Sequence, residues 1–286
     1  MVLFLIMLFF TTLPITLLAS VANAIATISI LLRSETICTI TRKPAALVTF
    51  FYLKMLHGFE IHGEENLPET TGALLVFYHA LVTHDIVYLW ARSCLKARKC
   101  IGGIAHRNSV RVVPGLCKIL DLYCERDTLV EKLKKGNICH VAPGGAREGV
   151  FSENYELLWH GRHGFARVAK ECGVPIIPMF TANSQPAPSV MNFGLKSFFK
   201  AVYERTGIVV YLPLICFPVK LRIYIGEPLH CGVDESAEEF AERQERGERG
   251  DEARGDDDRR HTKGEIIVVK TVTSIHNFEL LDRVNI

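Results

Sequence analysis

Between Met1 and Leu32 the chain carries no Asp, Glu, Lys, Arg or His. About 20 apolar residues are enough to cross the roughly 30 Å hydrocarbon core of a bilayer, so residues 1–32 are expected to form a transmembrane segment, as one tilted helix or a short hairpin. Pro14, near the middle, favours a kink or re-entrant turn over one straight rod. The rival reading is a cleaved signal peptide with Val21-Ala22-Asn23-Ala24 as its small-residue site. Such a signal begins with a basic region and has a shorter apolar core, so a retained anchor is the better expectation.

A second apolar patch, Ala45 to Leu56, is too short to span and carries Lys54. Residues 33–57 are therefore expected to lie along the membrane surface, with Arg42, Lys43 and Lys54 meeting lipid phosphates. The basic residues after the first span favour a cytosolic face for the rest of the chain. A net charge of +2 gives no strong attraction to nucleic acid. The nine cysteines form no CxxC pair and no Cys/His cluster, which points to free thiols in a reducing compartment and to no metal site.

Chemistry first shows itself at Phe77-Tyr78-His79-Ala80-Leu81-Val82-Thr83-His84-Asp85. A buried-looking strand, Ala73 to Tyr78, runs into His79, and an aspartate follows just inside an amphipathic helix expected over His84–Leu95. A histidine held by a carboxylate is a common way to build a general base near neutral pH, because the carboxylate fixes the tautomer and stabilises the imidazolium as it forms. Residues six apart on one helix point roughly 240° apart, so the pair needs a bend between them. With Thr83 as N-cap, Asp85 falls in the first turn and reaches back to His79 at the strand end. His84 competes as the base, but it lies beside Asp85 and the two side chains diverge on a helix.

From Gly72 to about Pro228 strands and helices alternate, which implies an α/β architecture, a mixed sheet flanked by helices. Helices are expected over Val112–Leu120, Thr128–Lys135 and His163–Cys172, the last two closed by Gly136 and Gly173. Strands are expected over Asn137–Ala142, Pro175–Phe180 and Val219–Ile225. Tyr78 and Trp90 read as core aromatics, Asn183 and Ser184 as loop residues within reach of a substrate, and His160, Arg162 and His163 as a basic surface cluster. Residues 58–233 are taken as the main domain. Residues 234–264 are too charged to bury a core and are expected to be disordered, with Ser236–Arg246 at most a solvated helix, and 265–286 form a tail.

A second motif, Val141-Ala142-Pro143-Gly144-Gly145-Ala146-Arg147-Glu148-Gly149, follows a predicted strand. Its glycines let backbone amides approach a ligand, and Arg147 offers a charge-assisted fork to phosphate or carboxylate. His79…Asp85, Arg107-Asn108-Ser109…Pro114-Gly115, Pro143 to Glu148, and Val174 to Phe180 stand in the order of the four blocks of the glycerolipid acyltransferase (PlsC-like, lysophosphatidate acyltransferase) superfamily. The chain resembles in particular its monoacylglycerol/diacylglycerol acyltransferase-like branch, over about Leu53 to Leu229. Two features depart from the wider superfamily: five residues rather than four separate His79 from Asp85, and Gly144-Gly145 stands where phosphate-acceptor members carry Glu-Gly.

The resemblance implies a glycerol-phosphate acyltransferase-like fold and an acyl-CoA-dependent O-acyltransferase at the endoplasmic reticulum membrane. His79 would take the proton from a mono- or diacylglycerol hydroxyl and Asp85 would orient it. Gly144, Gly145, Arg147, Glu148, Arg107 and Arg111 would bind substrate. Acyl-CoA enters as co-substrate, with no cofactor, and the lipid bilayer and a glycerolipid acceptor are the partners. The Gly144-Gly145 bend leans towards a neutral acceptor. The alternatives are a lysophospholipid acceptor, or a non-catalytic scaffold or subunit working with a small membrane protein partner.

Overall fold

A computed structural model of the chain describes residues 35–96, 100–152, 155–159, 161–185, 188–189, 196–206, 215–216, 218–232 and 234–246, together with positions 20, 21, 24, 27 and 28. The expected anchor over 1–32 and the segment from 247 to 286 therefore fall almost wholly outside the described residues. Among those described, no helix is long and apolar enough to cross a membrane.

The chain enters with helix α1 (Glu35–His57) and strand β1 (Glu60–His62), then β2 (Ala73–Phe77) and α2 (His84–Leu95). Next come β3 (Gly102–Ile104), α3 (Arg107–Val112), α4 (Pro114–Ile119), β4 (Leu122–Tyr123), α5 (Arg126–Lys134) and β5 (Ile138–Val141). Helices α6 (Ala146–Phe151) and α7 (Gly164–Cys172) lead to β6 (Ile176–Ala182). A two-stranded piece, β7 (Pro188–Ser189) with β8 (Ile215–Cys216), brackets α8 (Lys196–Thr206), and β9 (Arg222–Ile225) and α9 (Ala237–Arg246) close the order.

Seven strands form one mixed sheet in the order β1-β9-β6-β2-β5-β3-β4. β2 runs parallel to both β5 and β6, and β3 runs parallel to β5 and β4, while β9 lies antiparallel to β6. Helices cover both faces, and β2 (ALLVF) is accordingly buried at every position rather than alternating. Leu75, Phe77, Ile177 and Met179 pack against Leu53 of α1 and Ile86 and Leu89 of α2. On the other face Leu74, Val76 and Ile176 pack against Leu129 and Leu133 of α5 and Phe165, Ala166 and Val168 of α7.

Helix α1 divides cleanly around its circumference. Ala46 and Leu53 are buried, while Ile40, Leu47, Val48, Phe51 and Met55 are exposed, Met55 to 82%. At 100° per residue the exposed set falls on one face, opposite the buried set, with Lys43 and Lys54 along one border. Arg42 secures the packed side by donating to the carbonyls of Ile119 (3.1 Å) and Lys118 (3.0 Å) at the end of α4.

Three expectations need correction. The helix expected over Val112–Leu120 is two helices, because Pro114 disfavours helical backbone at the residue before it and Val113 sits at φ −129°, ψ 59°. The helix expected over Ser236–Arg246 forms as α9 but is packed rather than solvated, burying Phe240 completely and Ala241 almost so against the α7 side of the core. The thiols are not all free, since the chain turns back after α2 and brings Cys94 and Cys100 within 4.7 Å (Cα–Cα) as a disulfide. Three short strands, β1, β3 and β4, escape a pattern reading because two or three residues give no periodicity.

Candidate active site

Parallel strands deliver their following loops to one edge of a sheet, and in open α/β sheets ligands gather outside these carboxyl ends. Here β2 delivers His79, β5 delivers Gly144 to Glu148, β3 delivers Arg107, and β6 delivers Asn183 to Gln185. A shallow hollow between Leu67, Pro68, Ser93, Lys96 and Gly136 lies at the opposite, amino ends of β2 and β5, away from these groups.

His79 keeps part of its surface exposed, and its backbone does most of the holding. Its ring Nδ1 lies 2.8 Å from the carbonyl oxygen of Ala80, a group that only accepts, so Nδ1 carries the proton. Nε2 is then the nitrogen with a lone pair, as a general base requires. Burial holds the imidazole below the ordinary histidine value, against the opposing pull of the Ala80 bond, and so favours the neutral form. The ring stacks on Phe77 at 6.3 Å, and Phe77 in turn meets His140 of β5 edge-on at 5.6 Å. His140 is driven down to about 3, by burial first and by the charge of His79 second.

The expected contact of His79 with Asp85 is not made. Asp85 is 2% exposed; its Oδ1 accepts the N–H of Ile86 (2.8 Å) and its Oδ2 accepts the hydroxyl of Thr181 (2.7 Å). Thr181 belongs to β6, on one side of β2, whereas His79 leans towards Phe77 and the β5 side. The first-turn position of Asp85 is as expected, yet Thr83 makes no side-chain cap. Burial raises the Asp85 carboxyl to about 6, opposed by the bonds from Thr181 and Ile86. His84 has its Nδ1 2.9 Å from Nε2 of His57, whose own Nδ1 bonds the Val219 carbonyl at 3.0 Å, and it is burial, at 8% exposure, rather than tautomer that sets it apart from His79. His57 Nε2 must then accept, and burial drives His84 down to about 3.

Glu148, expected to bind substrate, is instead committed within the fold. It is fully buried, its Oε2 accepts the backbone N–H of His79 (2.9 Å) and its Oε1 that of Leu158 (3.0 Å). It therefore ties the glycine bend to the histidine loop. Gly149 presses on the same loop, and a methyl group there would sit 2.8 Å from the backbone of Ala80 and Leu81. At Gly144 a methyl would sit 2.5 Å from the Glu148 carboxyl carbon. The glycine thus has a packing reason of its own and says nothing of the acceptor. Gly145 adopts φ 59°, ψ −161°, a conformation that is essentially glycine's alone, and its N–H closes on the Ala142 carbonyl at 3.1 Å. That leaves the Gly144 amide as the oxyanion-donor candidate in the bend.

Arg147 is half-buried and its guanidinium meets no hydrogen-bonding or ionic partner among the described residues. Arg107 and Arg111 are exposed on α3, one strand further along the edge, and Arg107 lies within the field of Glu125. Arg162 is exposed, as expected, and also donates Nη1 to the carbonyls of Pro143 (2.9 Å) and Gly144 (3.1 Å), bracing the bend. Asn183 and Ser184 are occupied by the carbonyls of Lys220 and Thr181 rather than facing a ligand. Sequence reasoning does not reach Thr181, although a lone hydroxyl at the end of an apolar strand, on the Ile177 and Met179 face, is a signal that could have been used.

Residues 58–182 match the protein family described as Acyltransferase. The human protein named "DGAT1/2-independent enzyme synthesizing storage lipids" is 36% identical over 208 residues, which cover 71% of this chain and 63% of that protein. The chicken protein of the same name is 37% identical over 192 residues, 65% of this chain and 57% of its own length. The chain thus spans less than two thirds of these relatives. Among solved structures, the crystal structure of the 1-acyl-sn-glycerophosphate (LPA) acyltransferase PlsC from Thermotoga maritima is similar over 79% of this chain and 90% of that one, with a TM-score of 0.49 and 21% identity.

Proposed function

We propose, from the match of residues 58–182 to the Acyltransferase family, that the chain is a membrane-bound O-acyltransferase moving a fatty acyl group from acyl-CoA to a hydroxyl of mono- or diacylglycerol, at the endoplasmic reticulum membrane. The observation that carries this reading is the tautomer of His79: Nδ1–H given to Ala80 leaves Nε2 as a base at the carboxyl edge of the sheet.

Nε2 takes the proton of the lipid hydroxyl as its oxygen attacks the thioester carbonyl. The Gly144 amide faces the charge that develops on the carbonyl oxygen. The tetrahedral intermediate collapses with rupture of the C–S bond, and the departing CoA thiolate takes the proton back from His79. Glu148 holds the backbone of His79 throughout, and Asp85, bonded to Thr181 and Ile86, keeps a carboxyl on the same sheet face without touching the ring. Arg147, without a partner among the described residues, supplies a cation for the phosphates of CoA. The exposed apolar face of α1, bordered by Lys43 and Lys54, lies on the lipid surface and brings the edge within reach of a membrane-dissolved acceptor.

A neutral acceptor is supported by the name of the relatives, which make storage lipids. Arg147, unpaired among the described residues, with Arg107 and Arg111 exposed one strand along the edge, favours the second reading, a lysophospholipid acceptor. Membranes expressing the chain, fed labelled acyl-CoA with diacylglycerol or lysophosphatidate, separate the two. Labelled triacylglycerol as the main product supports the first, labelled phosphatidate the second, and loss of acyl-CoA with no acylated lipid contradicts both.

A further inference from the structure

We infer that Thr181 is a positioning residue of the site: its hydroxyl, at the end of β6, holds the carboxylate of Asp85 in place beside the histidine loop. Its effect on rate rests on the proposed acyl transfer; its geometry does not.

Thr181 Oγ1 donates to Asp85 Oδ2 over 2.7 Å, and both residues are buried, at 3% and 2% exposure. The strand around Thr181 is otherwise apolar, with Ile176, Ile177, Met179 and Phe180 all buried. Valine has the same shape and suits a buried strand at least as well, so packing alone gives no reason for a hydroxyl here. Its hydrogen-bond partner is Asp85. The strand end is itself braced, since Ser184 Oγ donates to the Thr181 carbonyl at 2.9 Å.

The surroundings leave Thr181 decisive for the carboxyl. Among the described residues no cation pairs with Asp85. From α1 and α2 the nearby titratable groups are His57 and His84, which bond each other and are kept neutral by burial. From the β2 loop His79 turns its Nδ1 to Ala80, and His140 of β5 lies beyond Phe77. The upward push of burial on Asp85 is opposed by the Thr181 hydroxyl first, then by the Ile86 amide. Without the hydroxyl the carboxyl takes up a proton at higher pH and its charge disappears from the site.

The test compares the full chain with Thr181→Val, Thr181→Ser and Asp85→Asn in detergent and in membranes. The Asp85 carboxyl is followed by carbon NMR titration, assigned by difference with Asp85→Asn, and acyl transfer is followed against pH. Thr181→Val is expected to raise the Asp85 midpoint by about one pH unit, the tenfold change in proton affinity that one hydrogen bond to a charged group confers. The acid limb of kcat moves up with it, KM stays unchanged, and Thr181→Ser restores both. In an Asp85→Asn background Thr181→Val adds nothing. An unmoved midpoint, a serine variant that restores nothing, or an equal loss in the Asp85→Asn background overturns the proposal. Should the valine variant not fold, Thr181→Cys, a weaker donor of similar size, is expected to give a smaller shift in the same direction, and no shift overturns the proposal. If the unaltered chain transfers no acyl group, the proposed function falls while the carboxyl titration still decides for or against Thr181.

Discussion

His79 and Asp85 stand six positions apart and on the same face of the sheet, yet they are held by unrelated means. The histidine is fixed by backbone: its amide to Glu148, its ring to the Ala80 carbonyl, and its loop against Gly149. The aspartate is fixed by a side chain of a strand almost a hundred residues later in the chain, Thr181. Spacing along the chain thus brings two groups to one neighbourhood without deciding that they bond. A neighbouring strand with a better-placed donor can take the carboxylate, while a carbonyl one residue on sets the tautomer as well as a carboxylate would.

The largest expected effect lies on the histidine side. His79→Ala removes the base and should lower kcat/KM by roughly 10²- to 10⁴-fold, whereas Asp85→Asn, which leaves the tautomer intact, should cost less. Equal losses in the two would break the contrast. Glu148→Ala leaves two buried N–H groups without an acceptor, a loss of roughly 2–4 kcal/mol that thermal unfolding would register, with the glutamine variant in between. A melting temperature within a degree of the parent would show that the tie between bend and histidine loop is not needed.

Asp85→Asn should act in the opposite sense on stability. The folded-state pKa of Asp85, about 6, is raised above the ordinary aspartate value of 3.8, so the folded protein binds more protons between these two values and loses stability as pH rises through that window. Removing the charge is expected to stabilise the chain at pH 8 by up to about 3 kcal/mol, a gain that fades below about pH 4. A variant less stable than the parent at pH 8 would mean that the carboxylate is compensated there. The smallest effect is expected at Arg147→Ala, about a tenfold rise in KM for acyl-CoA with kcat kept, because a guanidinium lost from binding leaves the base untouched.

Much of the fold was legible where local physics decides it. α2 spans the expected His84–Leu95, and the helices before Gly136 and Gly173 end as those glycines require, both at positive φ. β2 and β6 announce themselves as continuous apolar runs. The features that escaped depend on tertiary contact. Glu148 reads as a substrate-binding residue until the chain brings His79 and Leu158 onto its two oxygens. Arg162 reads as solvated, which it is, but nothing in the sequence shows that the bend presents two carbonyls to it. Phe240 sits in one of the most charged stretches of the sequence, yet α7 gives its ring a place to bury. The carboxyl-edge location of His79, Gly144, Gly145 and Arg147 follows from strand-then-loop order; the partners of each side chain do not.

The arrangement of the two groups is tested most directly by nitrogen NMR of the His79 imidazole, in the unaltered chain and in Asp85→Asn, at a pH where the ring is neutral. Protonation at Nδ1 with a lone pair at Nε2, and an Nδ1 signal that does not move between the two proteins, is the result expected from the bond to Ala80. A proton on Nε2, or an Nδ1 signal displaced by the substitution, would contradict it.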